Sequence, residues 1–214
     1  MRKLKQKGVE RTGTTMAAKM VQQAFGIRGL VGKKIRPNKH APVSAGEWAP
    51  NTALMINIKD PYAWLVSYHA WDRQAKWDGR KIPQDKQPVS FTPDEIRAAM
   101  SRFCDLYDNW FNLPYDKAII RYEDVLEEPR KLYRKMAKLL KARPNPEKMW
   151  DATPHRVVHP GRTKMRDVRG PVRIFNRAYY TEKQYLDRMT KEHISVITDA
   201  VDWPLLKELY EPLS

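Results

Sequence analysis

The chain has 214 residues, a single cysteine and a formal net charge of +15. That length suits one α/β domain, and no run of about 18 apolar residues is present to cross a membrane. Cys104 alone cannot close an internal disulfide, which suits a reducing compartment, and the charge calls for an anionic partner.

Residues 4–10 read as a short first strand, with Leu4 and Val9 apolar. Met16, Ala17, Met20, Val21, Ala24 and Phe25 then recur at helical spacing and predict a helix with one buried face. Gly26, Gly29 and Gly32 mark a turn region, and residues 33–50 read as a short extended segment ending in a loop. Residues 53–58 (ALMINI) form the clearest buried strand. Pro61 suits the first turn of a helix over 62–77. Residues 78–91 are a long charged loop, a lid candidate at that length.

Thr92, Pro93 and Glu95 make a helix start with a capping box. Ile96, Met100, Phe103, Tyr107 and Trp110 give that helix its buried stripe, and Cys104 reads as a small core residue beside them. Residues 117–121 predict another strand, followed by Tyr122-Glu123-Asp124 and a helix over 128–141. Residues 142–180 are irregular and rich in Pro, Arg and His. Thr181 reads as the cap of a last long helix to Val201, and residues 204–210 as a short amphipathic end. Strands alternating with helices predict a single α/β domain over 1–214, a doubly wound parallel sheet flanked by helices.

The stretch Gly8-Val9-Glu10-Arg11-Thr12-Gly13-Thr14-Thr15 reads as a phosphate loop. Two glycines five apart allow a tight bend, and a helix start follows, so backbone N–H groups converge on an anion. The Walker pattern requires a lysine where Thr14 stands, so the nearest cation is Arg11. A metal-dependent kinase would place that lysine on its β- and γ-phosphates. A loop without it suits a different anion.

Four segments, in this order along the chain, resemble the PAPS-dependent sulfotransferases, a family with a P-loop-NTPase-like fold. These enzymes move a sulfuryl group from 3′-phosphoadenosine-5′-phosphosulfate (PAPS) to a hydroxyl or amine, leaving 3′,5′-ADP. Arg11-Thr12-Gly13-Thr14-Thr15 is similar to the family's 5′-phosphosulfate loop. Lys39-His40-Ala41-Pro42 resembles its His-x-Pro element. Lys59-Asp60-Pro61 with Ser67 is similar to its 3′-phosphate motif, with lysine where arginine is usual. Tyr122-Glu123-Asp124 after a strand is the fourth. Glu10 stands where proline is common and is expected to point away from the anion.

The resemblance implies roles. Arg11 would meet the 5′-phosphate and the bridging oxygen as the S–O bond breaks, and Thr12, Gly13, Thr14 and Thr15 would donate hydrogen bonds to the phosphosulfate. Lys59 and Ser67 would hold the 3′-phosphate, and Tyr122 and Thr153 the adenine side. Arg169-Gly170 is similar to a late element that reaches the 3′-phosphate, with Arg166 and Arg173 near enough to substitute. His40 would be the general base, a neutral imidazole being suited to this near pH 7. His155 and His159 are further candidates, as are Asp72 or Glu47 where a carboxylate does this work. No metal is implied. The excess charge suggests an anionic acceptor such as an acidic glycan. Without an h-region or anchor, a cytoplasmic enzyme of bacterial or viral type is expected. Two other readings compete: a P-loop nucleotide kinase or NTPase, and a basic nucleic-acid-binding protein. Lys and Arg are spread along the chain with no basic arm, which disfavours nucleic acid.

Overall fold

The computed structural model describes residues 2–27, 38–44, 46–76, 88–150 and 177–213. Within them, three strands form one parallel sheet in the order β1-β2-β3: β1 (Lys3–Lys7), β2 (Thr52–Ile58) and β3 (Asp116–Arg121). Lys5 pairs with Leu54, and Leu54 with Lys117. Every residue of β2 is buried, as a central parallel strand covered on both faces requires.

The alternation along β2 divides the interior. Ala53 and Met55 join Leu4, Ala118 and Ile120 under helices α1 (Thr14–Phe25) and α5 (Pro129–Leu140). Leu54, Ile56 and Ile58 face α2 (Pro61–Lys76), α3 (Pro93–Phe111) and α7 (Lys191–Ala200). Trp64, Phe103, Tyr107 and Trp110 fill this second core, with Trp64 and Phe103 4.9 Å apart and Phe103 and Tyr107 4.6 Å apart. Helices on both faces of a parallel sheet give an α/β architecture. No helix among the described residues is long and apolar enough to cross a membrane, and Cys104 is a buried free thiol.

Several boundaries differ from the sequence reading. The first strand stops at Lys7, because Gly8 opens the loop, and Val9 turns into the α2/α3 core instead. Residues 122–127 form a helix of their own, α4 (Tyr122–Glu127). Pro129 disfavours helical backbone at the residue before it; Glu128 accordingly has φ −139° and ψ 80°, and α5 starts afresh at Pro129. The long final helix expected from Thr181 is three pieces: α6 (Ala178–Thr181), a short 3-10 helix (Gln184–Arg188) and α7. Lys183 takes a left-handed conformation between the first two, and Thr190, not Thr181, caps α7. Tyr185 bonds Asp60 Oδ1 at 3.2 Å, a tertiary contact that periodicity does not reveal. The chain closes with α8 (Trp203–Leu206). Of the expected lid, residues 78–87 lie outside the described residues; Val89 and Phe91 are buried, and Val89 N donates to Arg188 O at 2.8 Å.

The capping box at Thr92 has formed, with the Thr92 hydroxyl accepting from Glu95 N and the Glu95 carboxylate accepting from Thr92 N. Thr92→Ala should therefore cost about 1 kcal/mol, read as a lowered urea midpoint with an unchanged m-value.

Candidate functional site

All three strands are parallel, so their carboxyl ends share one edge of the sheet, where ligands of open α/β sheets bind. β1 ends in the glycine loop, β2 in Lys59 and β3 in Tyr122. The loop is tight. Arg11 has φ 70° and Gly13 φ 73°, both left-handed, and a non-glycine residue there is strained. A Cβ on Gly8 would lie 2.6 Å from Asn57 O, and one on Gly13 would lie 2.5 Å from Tyr122 Cδ2. The glycines thus admit close contact with β2 and with the tyrosine after β3.

Side chains clamp the loop in place. Gln6 Nε2 donates to Thr14 O and to Asn57 Oδ1, each at 2.7 Å. Thr12 is buried and its hydroxyl donates to Val9 O at 2.8 Å, so this hydroxyl holds the turn itself. Gly13, not Thr14, is the N-cap of α1, and no side chain caps the helix. Thr15 lies half-buried in the first turn, and Arg11 is exposed. Glu10 is engaged by Arg102, with both carboxylate oxygens 2.8 Å from Arg102 Nη2.

The segment 38–42 returns to the loop. Gly8 N donates to Lys39 O at 3.2 Å, and Lys7 Nζ donates to Ala41 O at 2.9 Å. Burial pushes the Lys7 ammonium down to about 8, with Glu47 opposing and Lys5 adding to the shift. Lys39 Nζ donates to Thr14 Oγ1 at 2.8 Å. The sequence reading gave Lys39 no role. Yet it brings an ammonium, from 25 positions away, to the loop residue that stands where the Walker lysine would be.

His40 Nδ1 lies 2.5 Å from Gly8 O. A carbonyl can only accept, so Nδ1 carries the proton and Nε2 holds a lone pair in the neutral ring. Burial lowers the imidazole pKa below its ordinary value; the Gly8 carbonyl and Glu10 oppose this, while Lys39 and Arg102 add to it. His40 also lines a cleft of about 600 Å³ with Ala41, Pro42, Ser101, Arg102 and Asp105. This is a size that holds small ligands. The carboxylate alternatives are placed differently: Glu47 is exposed and accepts from Ser44 N at 3.3 Å, and Asp72 lies on α2.

Lys59 is 2% exposed. Its Nζ donates to Ser67 Oγ at 3.2 Å, and Ser67 donates to Ala63 O at 2.9 Å. The rings of Tyr122 and Tyr180 cover the ammonium, with centroids at 4.0 and 4.3 Å. Burial lowers the Lys59 pKa against the pull of Tyr180 and Glu123, and Arg11 lowers it further. Just behind, Asp60 and Glu123 are half-buried carboxyls, each with its pKa raised chiefly by desolvation. Glu123 accepts from Asp60 N at 3.1 Å and from Tyr210 OH at 2.7 Å, tying the ends of β2 and β3 to the C-terminal segment.

Arg11, Thr12, Gly13, Thr14, Thr15, His40, Lys59, Ser67 and Tyr122 therefore gather at one sheet edge. Thr153, Arg169 and Gly170 lie outside the described residues, as do Arg166, Arg173, His155 and His159. Gln6, Lys39, Asn57 and Tyr180 are additions from the structure. For Lys39 a signal existed, a cation beside His40 in a chain whose loop lacks its own lysine. No grouping of three or more His, Cys, Asp or Glu side chains suited to a metal ion occurs among the described residues. The chain matches no protein-family model, no curated protein and no solved structure.

Two outcomes are expected. Gly8→Ala should be strongly destabilising, by more than about 2 kcal/mol, because its Cβ meets a backbone oxygen. Gly26→Ala, with nothing within 4 Å but a left-handed φ of 64°, should cost only about 1 kcal/mol; thermal melts of both variants compare them. For His40, the unfolded ring takes its proton near 6.5 and the folded ring only below that. Stability is then lost as pH falls through and below 6.5. His40→Gln should flatten that part of a melting temperature against pH curve.

Proposed function

We propose that this chain is a PAPS-dependent sulfotransferase with a P-loop-like α/β fold. The observation that carries the reading is the convergence, on one strand-end edge, of three distinct devices. These are a left-handed phosphate loop, a buried Lys59–Ser67 pair, and a histidine whose Nδ1 is committed to Gly8 O. A nucleotide with phosphates at both ends of its ribose calls for two separated anion seats, and the loop and Lys59 are two such seats.

In this reading the acceptor sits against His40. Its hydroxyl or amine gives a proton to His40 Nε2 as its heteroatom bonds to sulfur. The bond from sulfur to the bridging phosphate oxygen breaks, and the electron pair goes to the 5′-phosphate of 3′,5′-ADP. Arg11 and Lys39 meet the charge that develops there, together with the N–H groups of the loop. Sulfuryl transfer of this kind proceeds without a metal ion. Lys59 and Ser67 receive the 3′-phosphate.

Lys39 also favours a second reading, since its ammonium lies at Thr14 as a Walker lysine would. A P-loop kinase or NTPase would use it on ATP with Mg²⁺.

Thermal melts with 3′,5′-ADP, 5′-ADP and Mg-ATP separate the two. A ligand at 100 times its dissociation constant adds about 2.7 kcal/mol. We expect 3′,5′-ADP to raise the melting temperature more than 5′-ADP, and Lys59→Met to erase the difference. Stabilisation by Mg-ATP alone would replace the sulfotransferase reading with the kinase one. If no nucleotide stabilises the protein, both fail.

A further inference from the structure

The Lys59 ammonium is enclosed. Tyr122 and Tyr180 cover it, and Ser67 Oγ lies 3.2 Å away on α2. A phosphate cannot reach it while both rings stay in place, so one ring has to yield, and the two differ in how they are held. Tyr122 is wedged: a Cβ on Gly13 would lie 2.5 and 2.8 Å from two of its ring carbons, and it is buried in the core beneath α1. Tyr180 belongs to the single turn of α6, is half-buried, and packs at the margin of both cores.

The Tyr180 hydroxyl also meets specific partners. It is hydrogen-bonded to Lys59 and to Ser67, with the Arg11 charge close by. These are the groups that the reading above gives to the second phosphate and to the loop. Burial by itself would raise the phenol pKa; Lys59, Ser67 and Arg11 outweigh it and hold the group below its ordinary value. The surroundings of that oxygen thus favour negative charge.

We propose that Tyr180 determines selectivity for the second phosphate of the nucleotide: its hydroxyl occupies the seat that this phosphate takes and leaves as the phosphate enters. The proposal rests on the sulfotransferase reading. A nucleotide with a 3′-phosphate displaces the phenol, exchanging a weak acceptor for a stronger one on Lys59 and Ser67. A nucleotide without it leaves Tyr180 where it is and gains nothing at Lys59.

Calorimetric titration of the full chain with 3′,5′-ADP and with 5′-ADP tests this, using the wild type and Tyr180→Phe. Phenylalanine keeps the ring over Lys59 and removes only the competing oxygen. We expect Tyr180→Phe to bind 3′,5′-ADP more tightly, by roughly tenfold or more, as removal of a hydrogen bond to a charged group predicts. Binding of 5′-ADP should not change. Unchanged or weaker binding of 3′,5′-ADP by the variant, or an equal shift for both nucleotides, would overturn the role of Tyr180 and leave the sulfotransferase reading standing. A wild type that does not prefer 3′,5′-ADP over 5′-ADP would remove that reading, and this proposal with it.

Discussion

A lysine ammonium buried at the end of the central strand is the constraint around which the site is arranged. Taking a charge out of water is expensive unless polar partners replace the water. Lys59 meets this with one serine oxygen, two aromatic faces and the phenol of Tyr180. No carboxylate among the described residues forms an ion pair with it. Glu123 raises its pKa through the field alone, while its own oxygens serve Asp60 N and Tyr210. Solvation of this kind keeps a cation inside the protein without neutralising it, and an anionic ligand can still use such a charge.

The glycine loop depends on the same neighbourhood. The Tyr122 ring covers the Lys59 ammonium and also lies against Gly13, so the loop and Lys59 share a wall. Gln6 and Asn57 hold the loop from below, and Lys39 and His40 hold it from the side. Strain at Arg11 is sustained because the surroundings define the turn from several directions. Arg11 itself is left exposed, with its charge felt by Lys59 and Tyr180.

Charge is distributed less simply than the total suggests. The excess of +15 calls for an anionic partner. Beside His40, however, Arg102 is engaged by Glu10, and Asp105 also lines the cleft. The net charge of a chain describes its long-range field, and a single cleft is set by which side chains are paired within it.

The sequence by itself determined the parts governed by near neighbours. The buried run at 53–58, to which the structure adds Thr52, the capping box at Thr92 and the glycine spacing before α1 depend on local propensity and pattern, and each was legible in the sequence. So was the set of chemical groups, since a glycine-hydroxyl loop, a lysine eight positions before a serine and a His-x-Pro element are statements about order and spacing. Only the tertiary structure decided which groups meet. Parallel pairing brings three strand ends to one edge, a juxtaposition that Lys59 and Tyr122, 63 positions apart, cannot announce locally. Lys39 reaches Thr14, and Tyr180 reaches Lys59, through contacts across 25 and 121 positions. The break at Glu128 and the division of the expected last helix have the same origin in part. Pro129 was visible, but the bond from Tyr185 to Asp60 that holds the short 3-10 turn belongs to the folded chain. Periodicity records which face of an element is apolar; it does not record what stands opposite, and in this protein the candidate site is made of what stands opposite.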